Sequence, residues 1–339
     1  MKRPTLLLLL LCLWGGCARV ESLNLKNHTF GRVPQKIIWF QVPGLTEEHL
    51  AMLRFSNINI QKLTSFEDSA CVGKIWNFNL YDLRPRPEQS LMAQMVGKLN
   101  IKGNCEDFSQ RPIWRSLEEI NFSTGILEGE MADGQSLYNA WKCPDGQEFR
   151  KNLTLWRMAA APNKEAPTFH YQNKEFSKGE QVVYDKSCQG ETCYASLANN
   201  IYFIQANLQK SKSRYLFIVR DFSYYQALSN KNISQARENL SEWEKVFNYF
   251  LTQAKDQDDM LILLSSAATQ SFEFPSAGKD WGEFEGKGKN ILYRRPGLIS
   301  SVWAFGASAE NFCGIYSEAE MYQRLLWQQG KEEKIFKFL

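Results

Sequence analysis

Short runs of apolar residues, each closed by polar or turn-forming residues, alternate along this chain with stretches whose apolar positions return every three or four residues. KIIWFQV (Lys36–Val42), set between Pro34 and Pro43-Gly44, predicts a first strand buried on both faces. Thr46 followed by two glutamates predicts a helix over TEEHLAMLRF, because a threonine hydroxyl caps and acids favour the first turn. INIQKLT (58–64) alternates as a strand does, and Asp68-Ser69 reads as the opening of a helix. Residues 90–100, 114–120 and 197–210 predict helices, and STGILEGE a short strand ending at Gly129. RYLFIVRDF (Arg214–Phe222), MLILLSS (Met260–Ser266) and LISSVWAFG predict three more buried strands. Between the first two of these lies a helix from about Ser234, striped by Ala236, Leu240, Trp243, Val246, Phe247, Phe250 and Ala254. Ser317 and Glu320 have capping-box spacing before a last helix. GKDWGEFEGKGKN (Gly278–Asn290) lacks the phosphate-loop pattern and reads as a solvated loop.

Strands alternating with helices predict an α/β fold: a three-layer sandwich with a mostly parallel central sheet covered on both faces. Residues 144–195 are polar and read as an inserted excursion. Sites in such sheets lie beyond the carboxyl ends of the strands. The residues to inspect are therefore Pro43-Gly44, Asp68-Ser69, Arg220-Asp221, Ala267-Ala268 and the segment after Gly306.

The chain has 339 residues, 44% hydrophobic, enough for a sizeable core, and a net charge of +3 that makes no case for nucleic acid. Lys2 and Arg3, the leucine-rich run Leu6–Leu13 and the small residues Gly15 and Gly16 have the layout of an export leader, residues 1–17. LWGGC suggests a bacterial lipoprotein with Cys17 lipidated, and cleavage after Ala18 is the alternative. Export implies a bacterial periplasm or an outer-membrane anchor, with membrane contact only through that lipid. Six cysteines remain beyond the leader, an even number that favours disulfides in an exported chain, with Cys188 and Cys193 of CQGETC as the local pair. Five Asn-x-Ser/Thr sequons occur, at Asn27, Asn121, Asn152, Asn232 and Asn239.

FEDSACVG resembles the nucleophile segment of alkaline phosphatases, where Asp-Ser-Ala opens a helix. YLFIVRDFSYY, the long helix and DDMLILLSSAATQ follow in that family's order, and SVWAFGASAENFCGIYSEAEMYQRLL is similar to its closing segment. The resemblance covers most of residues 36–328, apart from the 144–195 excursion. It implies that fold and a chemistry in which two zinc ions about 4 Å apart clamp the reacting oxygens, while a serine attacks phosphorus. Magnesium often fills a third site. Carried over residue by residue, the resemblance places the nucleophile on Ser69 and a first ligand on Asp68. The other ligand positions fall on Pro43, Arg220, Tyr225, Ser229, Ala267, Ala268 and Pro296, none of which suits zinc. Asp133 and Ser136 match a magnesium-site acid and hydroxyl only loosely. The chain's three histidines, His28, His49 and His170, follow none of the predicted core strands.

This is the pattern of a degenerate member of the family: a catalytically inactive envelope protein that binds or assembles, with no cofactor. Its partner would be a protein or a small anion held near Arg220, Arg294 and Arg295, and a homodimer or pairing with an active paralogue would suit the family. The alternative is a metal-dependent phosphomonoesterase or phosphodiesterase with a displaced zinc or magnesium site, drawing on Asp68, Asp221, Glu128, Glu130 and Asp133, with Ser69 as nucleophile. In the inactive reading Asp and Ser simply cap a helix.

Overall fold

The computed structural model describes residues 28–29, 32–55, 63–129, 131–172, 179, 181–190 and 192–326. Ten strands and five helices carry the argument. They are β1 (Lys36–Gln41), β2 (Cys71–Trp76), β3 (Ser123–Glu128), β4 (Leu153–Arg157), β5 (Thr168–Phe169), β6 (Gln181–Asp185), β7 (Tyr215–Arg220), β8 (Met260–Ser265), β9 (Ile299–Ala307) and β10 (Gly314–Ser317). The helices are α1 (Pro87–Val96), α2 (Leu197–Ser211), α3 (Ser223–Ser229), α4 (Ile233–Asp256) and α5 (Glu320–Leu326).

The strands form one sheet in the order β10-β2-β9-β8-β1-β7-β3-β4-β6-β5, and the two-residue strand His28–Thr29 adds to β9. Only β9 runs against its neighbours β8 and β2. The predicted class, mostly parallel and doubly covered, is the one observed. Strand alternation sorts the core into two layers. Ile38, Phe40, Phe217, Val219, Ile262 and Leu264 pack under α2, α3 and α4. Ile37, Trp39, Leu216, Ile218, Leu261 and Leu263 pack under α1, α5 and the Ile113–Glu118 helix.

Three expectations are corrected. Residues 71–76 form an edge-side strand rather than a helix: CVGKIW alternates, burying Cys71, Gly73 and Ile75, and it pairs with both β9 and β10. Long-range pairing overrides the capping signal of Asp68-Ser69. Residues 144–195 are no detached excursion, since β4, β5 and β6 extend the sheet beyond β3. Gly278–Lys287 is a helix, anchored by Phe284 and by Trp281 stacking on Phe274, and ended by Gly288 at φ 60°. The strand expected over 58–64 falls mostly outside the described residues.

The cysteines pair as Cys71–Cys313, Cys105–Cys143 and Cys188–Cys193, the last as expected. Three disulfides fit an exported domain that folds in an oxidising compartment. No helix among the described residues is long and apolar enough to cross a membrane. Beside the first disulfide, the chain at Phe312 crosses so close to β2 that a Cβ on Gly73 would lie 1.9 Å from the Phe312 carbonyl oxygen. Gly73→Ala must push β2 and this crossing apart. We expect a loss of about 2 kcal/mol, the usual scale of overpacking, read as a lower urea midpoint with an unchanged m-value.

Candidate functional site at the carboxyl ends of the strands

Each buried central strand ends in a polar residue, and the register sets these residues side by side. Ser265 of β8 is level with Gln41 of β1, Gln41 with Arg220 of β7, Arg220 with Glu128 of β3, and Glu128 with Arg157 of β4. Alternation points all five to the face covered by α1. The result is a polar row across five strands, at the edge where such sheets carry their sites.

The row is closely hydrogen-bonded. Arg220 is 1% exposed; its Nη1 donates to Glu128 Oε1 at 2.9 Å and its Nε to Gln41 Oε1 at 3.2 Å. Glu128 also accepts from the Leu137 amide at 2.7 Å and the Ser136 hydroxyl at 2.5 Å, with Arg157 Nε 3.5 Å away. Ser265 accepts from Trp39 Nε1 at 2.8 Å and donates to Gln94 Oε1 at 2.7 Å, and Gln94 donates to the Ser266 carbonyl. Burial pushes the Arg220 guanidinium below its ordinary value, and the Glu128 carboxylate opposes that shift.

Two clefts open on this edge, one on each face. The first, about 310 Å³, has Arg220 on its floor and Arg86, Gln89, Ser136, Asn139 and Lys142 among its walls. The ten-residue helix α1 begins here at Pro87, a residue suited to a first turn, with Glu88 beside the Arg220 charge. The second cleft, about 480 Å³, lies against α3 and α4 and contains Asp221. Asp221 accepts from the Ser223 amide at 3.0 Å, the Ser223 hydroxyl at 2.7 Å and Trp243 Nε1 at 2.9 Å. Burial raises its pKa and these three bonds oppose the rise.

The residues singled out from sequence are dispersed. Asp68 forms an ion pair at 2.8 Å with Lys255, in the last turn of α4 and so near the start of β8, away from the polar row. The Ser69 hydroxyl is buried without a hydrogen-bond partner. Pro43-Gly44 and Ala267 do meet, through the Gly44 amide and the Ala267 carbonyl at 2.8 Å, and Gly44 packs on Tyr225. Ala268, at φ 47°, holds a left-handed conformation unusual for alanine. Ser229 ends α3 at the surface, and Pro296 lies in the loop before β9. Arg294 pairs with Glu273 beside the small two-stranded ladder of Phe272–Glu273 and Leu292–Tyr293, and Arg295 is exposed next to it, so neither joins the buried Arg220. Glu128 and Asp221 end up on opposite faces. Ser136 serves Glu128. Nothing is described of the Asp133 side chain, and Glu130 and Cys17 lie outside the described residues.

His49 is wholly buried, stacked on Phe272 with its Nδ1 2.8 Å from the Tyr224 hydroxyl. Among the described residues no group of three or more His, Cys, Asp or Glu side chains could hold a metal ion. The row does not fit a zinc pair, because a guanidinium fills its centre and its carboxylate is already committed to it. Gln41, Gln94, Arg157 and Ser265 were missed from sequence. For Gln41, Arg157 and Ser265 the signal was present in the single polar residue that closes KIIWFQ, LTLWR and MLILLS, whereas Gln94 sits within helix α1 with no such mark.

No protein-family model and no curated protein matches the sequence. Solved structures do. Alkaline phosphatase from the Antarctic bacterium TAB5 superposes with a TM-score of 0.64 at 12% identity, over 88% of this chain and 98% of that one. Alkaline phosphatase from Thermus thermophilus gives 0.69 at 9% identity, over 87% and 91%. The lipoteichoic acid synthase LtaP from Listeria monocytogenes gives 0.52 at 13%, over 91% and 75%.

Proposed function

Starting from an alkaline-phosphatase-like fold, which this chain has, we propose that it is a non-catalytic member of that superfamily that binds a small anion at the carboxyl edge of its sheet. The observation that carries this reading is the row Ser265–Gln41–Arg220–Glu128–Arg157, in which a buried ion pair includes Arg220, a position where the resemblance to alkaline phosphatases implies a metal ligand. A hydrolase of this kind needs an ion to lower the pKa of its nucleophile and to neutralise charge at phosphorus. A guanidinium supplies fixed charge without a coordination site.

The same arrangement supports binding. Arg220 forms the cleft floor, and Arg86 and Lys142 stand at its wall, so three cationic side chains line the cleft. The binding role does not depend on how the chain is held outside the cytoplasm, by an acyl anchor on Cys17 in a bacterial envelope or free after leader cleavage.

The test is a phosphomonoester assay with zinc and magnesium added, beside elemental analysis and titration with inorganic phosphate. We expect no turnover in wild type or Ser69→Ala, no stoichiometric metal, and saturable phosphate binding. Lys142→Ala should weaken that binding about fivefold, which is about 1 kcal/mol. About two zinc ions per chain, with hydrolysis abolished in Ser69→Ala, would instead establish a hydrolase with a displaced metal site.

A further inference from the structure

We propose that Asn121, Asn152 and Asn232 carry N-linked oligosaccharides, added in the secretory pathway of a eukaryotic cell. Each begins an Asn-x-Ser/Thr sequon: Asn121-Phe122-Ser123, Asn152-Leu153-Thr154 and Asn232-Ile233-Ser234. In each, the asparagine is exposed while the next residue is locked in the core: Phe122 is 4% exposed, Leu153 0% and Ile233 1%. The buried neighbour holds the asparagine at the surface.

The local backbone makes room for a sugar. Asn121 (φ 67°) and Asn152 (φ 57°) occupy left-handed turns just before the adjacent strands β3 and β4. They line one groove at the amino edge of the sheet, opposite the polar row. The Asn152 Nδ2 donates to Glu118 Oε1, which needs only one of its two N–H groups. Asn232 caps α4 through its Oδ1, which accepts from the Gln235 amide at 3.1 Å. Capping therefore uses the oxygen and leaves the nitrogen for the sugar. Asn239, half-buried where the other three are exposed, is outside the proposal.

The transfer is balanced with a polyprenyl-diphosphate-linked oligosaccharide as donor. The Asn Nδ2 attacks the anomeric carbon, the N–C bond forms and the C–O bond to diphosphate breaks. The amide proton passes to a base of the transferase, and the lipid diphosphate leaves. The three disulfides belong to the same oxidising compartment. Glycans at these positions would shield the amino edge and the start of α4 while leaving the Arg220 cleft open, since none of the three lines it.

The full chain, secreted from cultured animal cells with its own leader, tests this. Peptide-N-glycosidase should collapse a slower-migrating species and convert Asn121, Asn152 and Asn232 to aspartate in the recovered peptides. Asn121→Gln and Asn152→Gln should each remove one mobility step. Ser234→Ala should remove the Asn232 step with the asparagine intact, which a change in migration of the bare chain would not. A secreted, disulfide-bonded chain with unaltered mobility and three unmodified asparagines overturns the proposal.

Discussion

Replacing Glu128 by leucine is expected to destabilise the fold by about 4 kcal/mol, the scale on which removing one member of a buried ion pair acts. The variant leaves the Arg220 guanidinium in the sheet with the Gln41 carboxamide as its remaining described partner in the row. The opposite change, Arg220→Met, should cost clearly less. Glu128 would keep the Leu137 amide, the Ser136 hydroxyl and Arg157, so its charge stays compensated. The double variant Glu128→Leu/Arg220→Met should be more stable than Glu128→Leu alone, because no lone charge is buried between the two positions. Guanidinium unfolding under non-reducing conditions measures all three. A double variant as unstable as the sum of the singles would show that the two side chains are not coupled.

Stability should also fall as pH rises from 6.5 to 8, and Glu318 is the cause. This carboxyl is wholly buried where β10 ends beside β2, accepting from Asn77 Nδ2 at 2.7 Å. Asn77 in turn accepts from the Ser300 hydroxyl. Burial pushes the Glu318 pKa up from 4.5 to about 8, against hydrogen bonds from Asn77 and Ser90. The folded chain then holds a proton that the unfolded chain releases, so the contribution of Glu318 is complete below pH 4.5 and is lost by about pH 8. The slope approaches about 1.4 kcal/mol per pH unit for one such group, or about 2 kcal/mol between pH 6.5 and 8.

His49 acts in the opposite sense. Burial lowers its pKa from 6.5 to about 3, so the folded chain excludes a proton that the unfolded chain takes up. Its contribution is present above pH 6.5 and is lost as pH falls toward 3. Between 4.5 and 6.5 the two slopes oppose each other, and above 6.5 the Glu318 slope stands without that opposition. Asp221, also raised by burial, adds to the Glu318 direction above its ordinary value. Glu318→Gln should flatten the profile between pH 6.5 and 8 and leave the acid limb unchanged. A variant that keeps the alkaline slope would move its origin elsewhere.

Sequence legibility followed the range of the interactions. KIIWFQ, YLFIVR and MLILLS were readable as buried strands because a run of large apolar residues has few other places to go. The stripe of α4 was readable because it repeats within one helix. CVGKIW was misjudged because its strand identity comes from β9 and β10, both more than 200 residues later in the chain. The strands within 144–195 were hidden by polar flanks, and their pairing with β3 and with one another is what makes them strands. At the site, the strand-end positions were legible, since Pro43, Arg220, Ala267 and Ala268 close or follow apolar runs that the sequence itself marks.

By itself, then, the sequence determined the class of fold and which edge of the sheet to inspect. The apolar and polar periods are local properties and survive without tertiary context. The tertiary structure alone decided that Ser265, Gln41, Arg220, Glu128 and Arg157 stand level, because strand register is a long-range quantity and a slip of one residue would turn each to the opposite face. It also decided that Asp68 belongs with Lys255 rather than with Arg220, because the entry to β2 is drawn to the amino end of β8.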